Sequence, residues 1–275
     1  MPSHHRPHPG RASTSSPRSR GNRPVRDKRH GGGSGNRPAD DTVVLYGWHT
    51  VSAALQNPQR HIRKILATEN AAHRLGEEGF KLPLKPEIVR AEIIDRRLGP
   101  DAVHQGLLVE ADALPFPDVS ELPPHGIVLV LDQITDPHNV GAILRSAAAF
   151  DVQAIITTAR HSPEATGVLA KSASGALEYV PMVTVPNLAR GLETLRKSGF
   201  YLVGLDSEGQ ESLSALPLSA PLAIVLGAEG KGLRHLTRET CDAMARLDLP
   251  GKIKSLNVSN ACAVALQIAS SRIAS

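Results

Sequence analysis

Aromatic side chains are scarce in this chain of 275 residues: one Trp, three Tyr and four Phe. That scarcity disfavours a nucleic-acid surface in which bases stack on an aromatic sheet. Only two cysteines occur, Cys241 and Cys262. Neither belongs to a CxxC pair or lies near a His at ligand spacing, so a disulfide framework, a zinc module and any other metal site are not expected. Both read as reduced thiols of a cytoplasmic protein. No apolar run approaches the roughly 18 residues needed to span a bilayer. No apolar h-region follows the first residues, so neither a membrane partner nor a secretory signal is expected. Two phosphate fingerprints are missing as well. In Ile224-Val-Leu-Gly-Ala-Glu-Gly-Lys-Gly232 the residue five before Gly230 is Val225, and Lys231 is followed by Gly232. The pattern G-x-x-x-x-G-K-[ST] therefore fails, and so does G-x-G-x-x-G, which disfavours a nucleotide-dependent dehydrogenase.

What is present begins with a lopsided charge. The net charge is +4, but residues 1–40 hold eight Arg and one Lys against Asp27 and Asp40, a net of +7. The remainder, with 22 basic and 25 acidic side chains, carries −3. Residues 1–40 are rich in Arg, Pro, Gly, Ser and His and almost empty of apolar side chains, which predicts a disordered tail. An arginine-rich tail suits counterion-releasing contact with RNA phosphates. A purely solubilising tail would have the same composition.

Residues 42–112 read as a small α/β domain. Strands are expected at 43–45, 61–67 and 106–110, a helix at 47–55, and a strand followed by a helix at 86–94. Trp48 and His49 could touch a ligand, although a lone Trp is more often packing. Residues 113–125 contain four prolines and read as a stiff, extended linker. From residue 126 onward, strands alternate with helices. The strands fall at 127–131, 152–157, 179–185, 200–205, 222–226 and 245–249. Helices are expected at 139–150, from Ser162-Pro163, at 187–198, at 233–241 and at 261–268. This alternation predicts a mainly parallel sheet covered on both faces.

Three stretches carry the chemistry. In Asp136-Pro-His-Asn-Val-Gly-Ala-Ile-Leu-Arg145, Asn139 is expected to open a helix at the carboxyl end of a buried strand, where open α/β sheets bind ligands. Arg145 lies six residues on, in an otherwise apolar helix face, and needs an acceptor. A phosphate or carboxylate fits its planar fork, and a structural ion pair would serve equally. In the glycine-rich loop at 227–232, Glu229 would repel phosphate and suits a cationic or hydroxyl-bearing partner, Arg145 included. In Leu249-Pro-Gly-Lys-Ile-Lys-Ser-Leu-Asn-Val-Ser-Asn260, a Pro-Gly turn precedes two lysines and then Ser255, Asn257 and Ser259. These are capping residue types ahead of an apolar helix. The exposed N–H groups of a helix start favour polar or anionic ligands.

Asn139 through Arg145, Leu226-Gly-Ala-Glu-Gly-Lys-Gly232 and Ser255-Leu-Asn-Val-Ser259 resemble, in order and spacing, three motifs of the SpoU (TrmH) family of RNA ribose 2′-O-methyltransferases. Ser172-Ala-Ser-Gly-Ala-Leu-Glu178 and His104-Gln-Gly106 add to the resemblance, which covers roughly residues 42–271. The stretches around Gly47-Trp-His and His104-Gln-Gly resemble a small N-terminal RNA-binding domain of ribosomal protein L30e type. Family members that act on a guanosine of bacterial 23S ribosomal RNA carry that domain. One departure is Leu247-Asp248, where the family usually has an Ile-Pro pair.

The resemblance implies a parallel-sheet SPOUT-type domain over residues 126–275 with a C-terminal trefoil knot. It implies S-adenosylmethionine as cofactor, contacted by Gly227, Leu247 and Leu256 largely through backbone. It implies a cytoplasmic homodimer acting on large-subunit ribosomal RNA or an assembly intermediate. Arg145 is the implied catalytic residue. A guanidinium keeps its proton in proteins and is a poor free base, so Arg145 is read as a clamp on the adjacent phosphate. Asn139 and Asn257 would orient the ribose and Arg145, Glu229 would hold Arg145 or the ligand, and Ser255 would line the site. The alternatives are a transfer RNA or resistance-type ribosomal ribose methylase and, in a different class, a non-catalytic RNA-binding or ribosome-assembly protein.

Overall fold

Two β-sheets organise the computed structural model, which describes residues 42–99, 101–115, 117–158 and 167–273. The tail expected at 1–40 and the helix start expected at Ser162-Pro163 lie outside the described residues. The first sheet draws on β1 (Thr42–Tyr46), α1 (Trp48–Gln56), β2 (Ile62–Ala67), α2 (Glu69–Glu77), β3 (Glu87–Ile88), α3 (Ala91–Leu98) and β4 (Leu107–Asp112). Its strand order is β1-β4-β2-β3. Strand β4 runs antiparallel to β1 and β2, and β3 parallel to β2. Helix α2 was not expected from the sequence. Thr68 caps it by accepting from the Ala71 N–H, and Ala71 and Leu75 are its buried residues. Trp48 is packing. Its ring meets Phe80 edge-on at 6.2 Å, and the Arg74 guanidinium covers its face at 3.6 Å.

The second sheet draws on β5 (Ile127–Asp132), α4 (Pro137–Ala149), β6 (Ala154–Thr158), α5 (Gly167–Ala173), a 3₁₀ turn (Ala176–Glu178), β7 (Met182–Val185), α6 (Leu188–Lys197), β8 (Tyr201–Leu205), β9 (Glu211–Ser212), β10 (Leu222–Gly227), α7 (His235–Thr240), β11 (Ala243–Arg246) and α8 (Val258–Ile273). Its order is β7-β6-β5-β10-β8-β11-β9, and every pairing is parallel. The apolar runs of β5 and β10 lie at its centre, as expected of strands buried on both faces. Alternate side chains of β5 face opposite ways. Leu129 and Leu131 pack with α4, α5 and α8, and Val128 and Val130 pack with α6. Ahead of β5, a 3₁₀ turn (Val119–Glu121) is closed by a reciprocal capping box between Asp118 and Glu121. Its Val119 and the following Leu122 are buried against α6.

Several element boundaries differ from expectation for local reasons. Helix α4 starts at Pro137 rather than Asn139, because the Asp136 side chain caps it by accepting from the His138 N–H at 3.0 Å. Proline in the first turn is already set for the helix. The strand expected at 179–185 is only Met182–Val185, because Gly175 turns the chain left-handed, at φ 86°, into the 3₁₀ turn. The strand expected at 245–249 is Ala243–Arg246. The two sheets meet where α1 lies against α5 and the 176–178 turn.

Candidate active site

At the carboxyl ends of the central parallel strands β5, β8 and β10, four segments converge. They are the start of α4, the loop after β8, the glycine-rich loop after β10, and the segment between β11 and α8. The loop after β10 folds back on itself, and the Gly232 N–H donates to the Ala228 carbonyl at 2.8 Å. A Cβ at Gly227 would sit 2.2 Å from the Gly232 carbonyl carbon, so only glycine fits there. Sequence reading missed what holds the far side of the loop. Asp132, fully buried at the end of β5, accepts from Arg234 Nε at 2.7 Å and from the Arg234 backbone N–H at 3.0 Å. Asp206 accepts from the Arg238 guanidinium. The available signal was an aspartate ending an otherwise apolar strand, since a carboxylate is left buried only when paired.

The last three of these segments, with Arg238 and the first turn of α8, enclose a cleft of about 570 Å³, and the start of α4 stands beside it. Gly227, Leu247, Leu256, Glu229 and Ser255 all line it. Both signs of charge face it, with Asp206 and Glu208 opposed by Lys231, Lys254 and Arg238. Lys254 Nζ donates to the Leu249 carbonyl at 2.7 Å and closes the Pro250-Gly251 turn. Asp248 accepts from the Ser212 hydroxyl and lies 3.5 Å from Arg246 Nε. Side-chain bonds thus tie this stretch to its neighbours. Among the described residues, no group of three or more His, Cys, Asp or Glu could hold a metal ion. A second cleft, of about 540 Å³, is walled by Glu208, Glu211, Asp242 and Met244 among others, and contains none of the expected site residues.

Asn257 joins two other expected residues, Asn139 and Glu229, beside the first cleft. It stands just ahead of α8, where its Oδ1 accepts from the Ser259 N–H at 2.9 Å and the Ser259 hydroxyl at 2.6 Å. That cap fixes the amide, because the oxygen is committed to the helix and the NH₂ must face away. The NH₂ donates to Asn139 Oδ1 at 3.0 Å and to Glu229 Oε2 at 3.4 Å. Two residues 118 positions apart are thereby joined at the rim of the cleft.

Arg145 does not join this cluster. Six helical residues past Asn139, it lies about 9 Å further along the axis. The buried face of α4 is Val140, Gly141, Ile143, Leu144 and Ala147, and Arg145 is exposed. It is therefore outside the apolar face, and water satisfies it without an internal acceptor. The expected Glu229–Arg145 contact does not occur, because Glu229 faces Asn257 instead. Cys262 is buried on α8, and burial pushes its thiol up to about 12. Burial, with the Asp242 charge second, pushes Cys241 up to about 12 as well. Neither thiol is an activated nucleophile.

Residues 126–267 match the SpoU rRNA Methylase family, and residues 44–117 match a family described as RNA 2′-O ribose methyltransferase substrate binding. The chain is 37% identical over 233 residues to the 23S rRNA (guanosine-2′-O-)-methyltransferase RlmB of Pseudomonas putida, covering 81% of this chain and 93% of that protein. It is 38% identical over 234 residues to the protein of the same name from Ralstonia nicotianae, again covering 81% and 93%. Among solved structures, the SpoU methyltransferase AviRb from Streptomyces viridochromogenes superposes with a TM-score of 0.72 at 22% identity, covering 85% of this chain and 91% of that one. An AdoMet-bound rRNA methyltransferase from Sinorhizobium meliloti gives 0.69 at 21% identity, covering 83% and 87%. At such identities the structural likeness speaks for the fold.

Proposed function

The chain belongs to the SpoU rRNA methylase family, and on that premise we propose that it transfers a methyl group from S-adenosylmethionine to the ribose 2′-hydroxyl of a guanosine in 23S ribosomal RNA. One observation carries this reading: a ligand-sized cleft adjoins the Asn139–Asn257–Glu229 cluster at the carboxyl ends of the strands.

The cleft fits the cofactor in size, within the range of small-molecule sites, and in lining. Leu247 and Leu256 offer apolar contact, backbone at Gly227 lies open, and carboxylates and lysines stand ready for the cationic and anionic ends of an amino-acid sulfonium. When bound, the cofactor supplies a methyl group on a positively charged sulfur. Everything else falls to the chain. Asn139 and Asn257 orient the ribose hydroxyl, and the cap on α8 holds Asn257 in place. Placement of this kind replaces an unfavourable encounter with a fixed geometry. Glu229 steadies the Asn257 amide, and Ser255 lines the approach. Arg145, exposed and without a bonded partner among the described residues, clamps the phosphate next to the target ribose and stabilises the developing alkoxide charge, while the hydroxyl proton passes by way of that phosphate to water.

Residues 42–112 serve as an RNA-binding domain of L30e type, 113–125 as its connection, and 126–275 as the catalytic domain. The basic tail adds phosphate contacts. The route of the chain supports a trefoil knot. From β11, on the far side of β8 from β10, it runs along the cleft that the 227–232 loop also lines and enters α8, which packs on α4 and β10. Exposed Ile253 and Val264 supply apolar surface for a homodimer. No helix of the described residues is long and apolar enough to cross a membrane, which is compatible with work on ribosomal RNA in the cytoplasm.

The test is methyl transfer from labelled S-adenosylmethionine to protein-free ribosomal RNA, with the modified ribose mapped by its resistance to alkaline cleavage. One protected guanosine in the large-subunit RNA is expected. Transfer to transfer RNA alone, or cofactor uptake without any transfer to RNA or to assembly intermediates, would overturn the reading.

A further inference from the structure

The contact between the two sheets is built around a buried ion pair. Arg60 and Glu178 lie 118 residues apart, and their side chains are only 5% and 1% exposed. Arg60 donates through Nε to Glu178 Oε2 at 3.1 Å and through Nη2 to Oε1 at 2.6 Å, a two-pronged fork. Its remaining Nη1 donates to the Asp112 carbonyl at 2.7 Å, and Asn57 Nδ2 donates to Glu178 Oε2 at 2.8 Å. Every prong of the guanidinium and both carboxylate oxygens are engaged.

The packing around this pair has no slack. A Cβ at Gly175 would stand 2.6 Å from Ala53 Cβ and 3.1 Å from the His49 carbonyl, so α1 touches the 174–178 turn backbone directly. The end of α5, just ahead of that turn, presses on α4, where a Cβ at Gly141 would stand 2.3 Å from Ser172 Cβ. Contact therefore runs unbroken from α1, through residues 172–178, to the helix that carries Asn139 and Arg145.

A buried ion pair is a poor adhesive, because desolvation offsets most of its attraction and apolar side chains of equal volume hold two surfaces as well. What the fork adds is a single allowed orientation. We propose that Arg60, Asn57 and Glu178 are positioning residues that clamp residues 42–112 at a fixed setting over α4, so that RNA held by that domain presents one ribose, at a set distance, to Asn139 and Arg145. This rests on the proposed methyltransferase reading. The clamp makes the pair of domains a ruler, with target choice set by the span between two RNA contacts.

Two variants test it. Glu178→Gln removes the charge and keeps the shape. The double replacement Arg60→Met with Glu178→Leu keeps the packing volume and removes the fork, so it folds even where the single variant does not. The expected result for each is a fall of about 100-fold in single-turnover methyl transfer to 23S ribosomal RNA, the scale of an ångström-sized misplacement. Cofactor and RNA dissociation constants should stay within about threefold, and small-angle scattering should show a wider spread of domain separations. A purely structural role would weaken cofactor binding in step with the rate. Wild-type rates in the double variant, or loss of rate and cofactor binding together, would overturn the clamp while leaving the function intact. If the wild-type chain transfers no methyl group to ribosomal RNA, the functional reading fails. The clamp is then judged by scattering alone, and unchanged separations in the double variant would overturn it.

Discussion

The seam between the two sheets and the rim of the cleft are both held by polar side chains, yet they are built to different standards. At the seam, Arg60 and Glu178 are buried, with every guanidinium nitrogen and both carboxylate oxygens bonded. At the rim, Asn139, Glu229 and Asn257 share two bonds, the longer at 3.4 Å, and Arg145 stands in solvent with no bond among the described residues. A sealed and satisfied network rigidifies, whereas an open and half-satisfied one leaves donors for a ligand. The molecule places its rigidity where two domains must keep one setting, and its unmet hydrogen bonds where a substrate is to complete them.

That contrast can be broken at either end. The largest effect is expected at the rim. Arg145→Ala should lower methyl transfer by about 10³-fold or more, the scale of losing a charge-stabilising donor. Cofactor affinity and thermal midpoint should barely move, since the side chain is exposed. Retained turnover would show that Arg145 is not the clamp on phosphate. At the seam the signs reverse. Arg60→Ala leaves Glu178 buried without its partner and should cost about 3 kcal/mol or more of stability, read from the urea midpoint. A change below about 1 kcal/mol would mean that water reaches Glu178 and that the seam is looser than described. Gly227→Ala comes next. It forces the glycine-rich loop off Gly232, and calorimetry should find cofactor affinity reduced roughly 10-fold, for a packing cost of about 1–3 kcal/mol. The smallest effect sharpens the comparison. Asn257→Ala removes the cap of α8 and should cost about 1 kcal/mol, well below the seam, with a disproportionate fall in rate. Equal losses of stability and rate would make Asn257 a cap and nothing more.

Much of the scaffold was legible in the order of residues. The apolar runs of β5 and β10 announced central parallel strands, and Asn187 announced α6, which it caps by accepting from the Arg190 N–H. Two local patterns also located walls of the cleft, because glycine, proline and capping residues report nearby backbone geometry, and the third, at 136–145, stands beside it through Asn139. The polar pairings were not legible. Asp132 with Arg234 spans 102 residues and Arg60 with Glu178 spans 118, and no periodicity tells one carboxylate which guanidinium the topology will bring to it. The same gap left Glu229 with two expected partners, Arg145 or the ligand; the turn of α4 carries Arg145 away, and the cap on α8 brings Asn257 close instead. The cap of α4 was missed for a simpler reason: Asp136 and Asn139 are both capping types, and Pro137 decides between them.

The order in which the cleft is assembled has a consequence for synthesis. All seven strands of the parallel sheet are complete at Arg246, yet Leu247, Leu249, Lys254, Ser255 and Leu256 form one wall of the cleft and α8 follows them. A nascent polypeptide halted after β11 would own the entire sheet and still lack one wall of the first cleft. A ligand seated in that cleft would therefore require residues 247–261, so truncation just after the sheet should abolish its binding instead of merely weakening it.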